Sequence, residues 1–87
     1  MSTEHHDLKA SLRALRGDEA VRVASQRTTV PAASISAYET GARVPSIPAL
    51  ERLLDGYGVP GWQRDGYWRL HRAARLTGQA AEVVGGE

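Results

Sequence analysis

The chain has 87 residues and no cysteine, which predicts one small domain without disulfides or a thiolate-bound metal. Its net charge is only +1, so a nucleic-acid-binding surface would have to gather basic side chains on one face. No apolar stretch approaches the ~20 residues that span a bilayer, and no signal peptide opens the sequence. We therefore expect a cytoplasmic protein without a membrane segment.

The first six residues are polar, and we predict that they form a flexible N-terminus. His5 and His6 lie between Glu4 and Asp7, which is a combination of residue types that can bind metal. Because the rest of the chain supplies no convincing set of further ligands, we interpret residues 1–6 as a solvated segment and predict no metal site.

Three leucines define the first predicted helix, over residues 7–16. Leu8, Leu12 and Leu15 are separated by four and three residues, so they share one face of a helix. Asp7 is placed to cap the N-terminus of this helix.

The second helix is predicted from Glu19 to Arg27, after Gly17 ends the first. Asp18 is its candidate N-cap, and Val21 and Ala24 are expected to face the core.

The segment from Ile35 to Ser46 predicts the end of a third helix, a loop and the start of a fourth helix. The third helix begins at residue 31 or 32 and ends at Thr40. Gly41 suits the left-handed conformation just after a helix end, Pro45 stops the helix from continuing, and Ser46 is a good N-cap. The fourth helix, over residues 47–57, has one apolar face made of Ile47, Leu50, Leu53, Leu54 and Tyr57.

A fifth helix is predicted from Trp62 to about Gln79, so that the folded domain covers residues 7–79 and a flexible tail covers 80–87. The helix carries two neighbouring stripes, one of Tyr67, Leu70 and Ala74 and the other of Trp68, His71 and Arg75. One stripe is enough to cover the core, and a second copy of the chain would bury the other. We therefore predict an all-α bundle of five helices that forms a homodimer through Trp68 and His71.

The sequence resembles the lambda-repressor-like helix-turn-helix domain of the XRE class over about residues 8–60. The matching positions are Ile35-Ser36, Tyr38-Glu39, Gly41, Pro45-Ser46, Leu50, Leu53-Leu54 and Tyr57-Gly58-Val59, with Leu12-Arg13 and Leu15-Arg16 in the first helix. The resemblance implies that helices two and three form the helix-turn-helix of a transcriptional regulator that binds double-stranded DNA. Thr29 departs from the pattern, because the family commonly has glycine in this turn.

The third helix enters the major groove of DNA in the resembled family, which implies this role for Ala32, Ala33, Ser34 and Ala37. Alanine can contact a thymine methyl group and serine can bond to either kind of base edge, but neither makes a bidentate base contact. The resemblance thus implies binding that rests mainly on phosphate contacts. Helix-turn-helix proteins commonly bind two half-sites as dimers, which also favours a homodimer.

Arg43 and Ser46 are a candidate phosphate site. Ser46 begins a helix with free N–H groups, and Arg43 adds a cation in the preceding loop. The alternative is an exposed loop arginine beside an ordinary helix cap.

Glu39 lies on the half of the third helix that is expected to face DNA, where a free carboxylate would repel phosphate. We expect it to pair with Arg13 or Arg16 of the first helix, as the resemblance also implies. The alternative is a solvated carboxylate with almost no effect on stability.

A second function stays open. The small groove residues and the near-zero net charge also favour a protein-interaction adaptor, or an antitoxin-like partner, which keeps the scaffold but binds little DNA. A regulatory protein partner is compatible with either function. An enzyme and a cofactor are not expected, because the sequence has no cysteine nucleophile, no Gly-x-Ser-x-Gly motif and no glycine-rich phosphate loop.

Overall fold

The computed structural model describes the backbone of residues 7–85 and the side chains of residues 7–77. This part of the chain forms five α-helices and no strand: α1 Leu8–Arg16, α2 Val21–Thr28, α3 Ala32–Thr40, α4 Ile47–Gly56 and α5 Gly61–Gly85. The predicted all-α, five-helix architecture is confirmed. The N-terminus predicted to be flexible, residues 1–6, lies outside the described residues.

Two predicted helix caps are present. Asp7 Oδ1 accepts a hydrogen bond from the Ala10 N–H at 3.0 Å, and Ser46 Oγ accepts one from the Ala49 N–H at 3.2 Å. Each cap satisfies a backbone donor that the first turn of a helix leaves unpaired. Gly41 ends α3 with a φ of 86°, in the left-handed region as predicted.

The prediction that Asp18 caps α2 is wrong. The helix begins at Val21, and Ala20 occupies the N-cap position without a side-chain hydrogen bond. The Arg16 guanidinium donates to the Glu19 carbonyl at 2.6 Å, and this bond holds the residues before α2 in a turn instead of a helix.

The fifth helix continues to Gly85, beyond its predicted end near Gln79. The added residues include Ala80, Ala81 and Glu82, which are good helix formers, and no proline interrupts them. The flexibility of residues 80–87 stays a prediction. Among the described helices, none has both the length and the apolar character needed to cross a membrane.

The core is built by α1 to α4 together with the turns that follow α2 and α4. Helix α1 packs against α3 and α5, and α2 packs against α3 and α4. Helix α5 covers the outside of this core with partly buried side chains. The ten buried hydrophobic residues are Leu8, Leu12, Ala24, Val30, Ile35, Tyr38, Leu50, Leu53, Leu54 and Val59.

The crossing of α2 and α4 depends on a glycine. A Cβ atom at Gly56 would lie 2.6 Å from the Cα atom of Thr28, which is closer than any real Cβ contact. The absence of a side chain at this position lets α2 and α4 approach each other closely.

Candidate nucleic-acid interface

The turn between α2 and α3 is held by side-chain hydrogen bonds. Ser25 Oγ donates to the Val30 carbonyl at 2.6 Å, and the Val30 N–H donates to Thr28 Oγ1 at 3.2 Å. Thr29 lies between them with φ 63° and ψ 18°, and its N–H donates to the Ser25 carbonyl at 2.8 Å. The turn is therefore left-handed at the position where the resembled family commonly has glycine, although a β-branched residue avoids this conformation.

The solvent-facing side of α3 carries only small side chains. Ile35 and Tyr38 are buried, whereas Ala33, Ser36 and Thr40 are exposed. Ser36 and Thr40 were not among the predicted groove residues, although their spacing of three and seven residues from Ala33 places them on its face of the helix.

The other predicted groove residues are less exposed than Ala33. Ala32, Ser34 and Ala37 are all half-buried, since they lie at the edges of the face that packs on the core. Of the four predicted groove residues, Ala33 is therefore the most accessible in the structure.

Helices α2 and α3 both begin without a side-chain cap. Ala20 precedes α2 and Pro31 precedes α3, and neither offers a side-chain acceptor to the first turn. The first N–H groups of a helix have no partner inside the helix, and the helix dipole makes its N-terminus attractive to anions. Both starts are therefore open to an anionic ligand such as a phosphate group.

The loop between α3 and α4 holds Arg43 and Ser46, which are both exposed. The Arg43 guanidinium lies 5.9 Å from the centre of the Tyr38 ring. The start of α4 offers fewer free N–H groups than the predicted phosphate site assumed. Pro48 has no N–H, and the Ala49 N–H is already bonded to Ser46. Arg43 is thus the principal phosphate ligand that this loop can supply.

A residue of α5 holds the same loop in place. His71 is only 3% exposed, and its Nε2 atom lies 2.7 Å from the carbonyl oxygen of Pro45, which is also buried. Because a carbonyl only accepts, Nε2 carries the proton of this hydrogen bond. The Trp68 ring stands edge-on to the imidazole, with the ring centres 5.6 Å apart.

His71 was predicted to lie at a contact between subunits together with Trp68, and that contact stays a prediction. The imidazole is packed within its own chain, and its Nε2–H is already paired there. Trp68 is half-buried beside it and keeps an accessible edge. Sequence spacing put both residues on one stripe, but the loop before α4 covers only His71.

Glu39 forms a bidentate ion pair with Arg16. The Nε–Oε2 distance is 2.8 Å and the Nη2–Oε1 distance is 2.9 Å, and the two side chains are 14% and 7% exposed. Hydrogen bonding to Glu39 raises the pKa of the Arg16 guanidinium. The other predicted partner, Arg13, donates to the Gly17 carbonyl instead. The carboxylate of Glu39 is therefore neutralised by a cation of α1.

A family model described as a helix-turn-helix domain matches residues 7–66. This span contains α1 to α4 and the beginning of α5, which is more than half of the chain. The chain belongs to the helix-turn-helix family. A search of curated proteins gave no match, and neither did a search of solved structures.

The helix-turn-helix consists of α2, the turn at Thr29, and α3. Proteins with this motif place its second helix in the major groove, with the first helix across the DNA backbone. Arg22 lies in the first turn of α2 and is exposed, so it belongs with the basic residues that can meet a phosphate. Arg22 was not among the predicted site residues, because the helix start was expected two residues earlier and the exposure of Arg22 follows only from the packing of α2.

Proposed function

We propose that this helix-turn-helix protein is a transcriptional regulator of the lambda-repressor-like, XRE class, which binds operator DNA with α3 in the major groove. The observation that carries the proposal is the solvent-facing side of α3. This side carries small, uncharged residues, and Glu39, the carboxylate residue of α3, forms an ion pair with Arg16. A helix with this surface can approach base edges closely.

Phosphate contacts supply most of the affinity in this proposal. No arginine, lysine, glutamine or asparagine occurs in α3, so bidentate contacts to guanine or adenine are not possible from this helix. Arg22 precedes α3 in the sequence and Arg43 follows it, and both side chains are exposed. The starts of α2 and α3 also offer backbone N–H groups. Sequence selectivity then comes from the fit of Ala33, Ser34 and Ala37 against thymine methyl groups and base edges.

Two copies are proposed to bind one operator. Dimeric helix-turn-helix proteins contact two half-sites about 34 Å apart on the DNA. A site with two-fold symmetry is therefore matched by a protein dimer with two-fold symmetry. This part of the proposal rests on the symmetry of such sites.

Selection from a random pool of double-stranded DNA by the purified protein, at one fixed salt concentration, tests the proposal. We expect an enriched palindrome with half-sites about one helical turn apart. Ala33→Glu should abolish the enrichment by adding bulk and negative charge to α3. Ala73→Glu is the matched control, because residue 73 is exposed on α5 and lies outside the helix-turn-helix.

The alternative function is a protein-interaction adaptor, which the small side chains of α3 and the net charge of only +1 favour. Failure of the wild-type protein to enrich any DNA, while it remains folded, would decide for the adaptor. Equal enrichment of DNA by the wild type and by Ala33→Glu would show that α3 does not enter the major groove of the DNA.

A further inference from the structure

A groove with apolar walls runs between the start of α4 and the middle of α5. Its volume is about 360 Å³, and it is lined by Ile47, Trp68, His71, Arg72, Arg75 and Leu76. Ile47 is 50% exposed and Leu76 is 62% exposed, and the accessible edge of Trp68 lies with them. Apolar side chains gathered on one solvent-facing site indicate a contact surface.

The charged residues that line this groove, among those described, have one sign. Arg72 and Arg75 are exposed, and within residues 7–77 no carboxylate lines the groove. The two arginines are three residues apart on α5, so their side chains leave the same face of the helix about 5–6 Å apart at Cβ. An occupant must therefore bring both apolar surface and negative charge.

This requirement separates three possible occupants. A second copy that packed groove to groove would bring both pairs of arginines together, and like charges in a contact are costly. A DNA backbone would satisfy the arginines but would leave Ile47 and Leu76 without an apolar partner. A protein segment with carboxylates beside apolar side chains satisfies both.

We propose that the groove binds an acidic, apolar segment of another protein. Its carboxylates pair with Arg72 and Arg75, and its apolar side chains lie against Ile47, Trp68 and Leu76. The spacing of the arginines suits carboxylates about one turn apart in a helix or two residues apart in a strand. This partner site is separate from α3 and does not depend on DNA binding.

Peptide display tests the proposal. The full-length protein is immobilised and selects from a library of random short peptides, and the enriched peptides are then labelled and titrated by fluorescence anisotropy. We expect several carboxylates next to apolar residues in the enriched peptides. The Arg72→Glu/Arg75→Glu variant should bind them at least about tenfold more weakly, which corresponds to about 1.4 kcal/mol per factor of ten.

Two further variants make the result specific to the groove. Leu76→Ala should also weaken binding, because it removes apolar contact without changing charge. Arg69→Glu is the matched control, since residue 69 is exposed on α5 but does not line the groove. Circular dichroism confirms that each variant is folded before it is compared.

Several results would overturn the proposal. One is a selection that enriches no peptides, or only peptides without carboxylates. Another is a peptide affinity that the double arginine variant leaves unchanged. A wild-type protein that forms dimers by light scattering, and becomes monomeric with Leu76→Glu, would assign the groove to a second copy. A loss of DNA affinity in Arg72→Glu/Arg75→Glu, with unchanged peptide binding, would assign it to the DNA backbone.

Discussion

The Nε2–H of His71 donates to the carbonyl of Pro45 across a distance of 2.7 Å, and this bond joins α5 to the loop that carries Arg43. Both residues are buried, so the imidazole supplies the hydrogen bond that the carbonyl receives inside the protein. The fifth helix therefore does more than cover the core, because it sets the position of a loop at the candidate DNA interface.

Replacing His71 with leucine should leave the buried carbonyl of Pro45 unpaired. We expect the free energy of unfolding to fall by about 1–3 kcal/mol, the cost of an unsatisfied buried acceptor. Urea unfolding measures this loss. His71→Gln offers an amide N–H at similar reach and should recover part of it. Equal losses in the two variants would mean that packing, and not the hydrogen bond, holds the loop.

Replacing Glu39 with alanine should destabilise the fold by about 1–3 kcal/mol, because it leaves the largely buried guanidinium of Arg16 without its carboxylate. A double-mutant cycle with Arg16→Ala should give a coupling energy above about 0.5 kcal/mol. The same cycle with Arg13→Ala is the control and should be additive, since Arg13 bonds to Gly17. An unchanged melting temperature in Glu39→Ala would contradict this account.

Thr29→Gly should make the protein more stable. A non-glycine residue in the left-handed region costs about 1–3 kcal/mol, and the extra flexibility of glycine in the unfolded chain offsets roughly 0.5–1 kcal/mol of the relief. We expect a net gain of about 1 kcal/mol in thermal unfolding. Thr29→Ala keeps the Cβ atom and serves as the control without this gain. A less stable Thr29→Gly protein would show that the side chain of Thr29 contributes more than its conformation costs.

Tyr57→Phe should not destabilise the protein and is expected to stabilise it. The hydroxyl of Tyr57 is buried without a hydrogen-bond partner among the described residues, and an unpaired buried hydroxyl costs about 1–3 kcal/mol. Chemical denaturation of the two proteins compares them directly. A clear loss of stability in Tyr57→Phe would reveal a partner for the hydroxyl.

The same residue predicts a pH dependence. Burial raises the pKa of Tyr57 above its usual value of 10.0. Above about pH 10 the unfolded chain releases this proton while the folded chain keeps it, so the free energy of unfolding should fall as the pH rises through that range. Tyr57→Phe should show a shallower fall. Identical curves for the two proteins would rule out Tyr57 as the group responsible.

Arg43→Ala should weaken binding to all DNA sequences alike, because a phosphate contact carries no sequence information. The slope of log affinity against log salt concentration should fall by about 0.9, the contribution of one neutralised phosphate. Arg69→Ala on α5 is the control. A wild-type affinity that does not change with salt, or a normal affinity in Arg43→Ala, would remove phosphate contacts as the main source of binding.

The features that the sequence determined by itself are those that depend on neighbours within one or two turns. The caps by Asp7 and Ser46 join residues three positions apart, and the left-handed Gly41 depends on its own missing side chain. The leucine spacing in α1 and α4 marks their inward faces for the same reason, since helical periodicity is local. These features predict the five helices and most of their ends.

Tertiary structure decided the features that join residues distant in sequence. Glu39 lies 23 residues from Arg16, and the approach of α1 to α3 selects that arginine over Arg13. His71 and Trp68 share one stripe of α5, but only the imidazole meets the loop 26 residues earlier and becomes buried. The groove exists for the same reason. It forms between Ile47 at the start of α4 and the middle of α5, and their relative position is set by the packing of the whole bundle, which the periodicity of either helix alone does not contain.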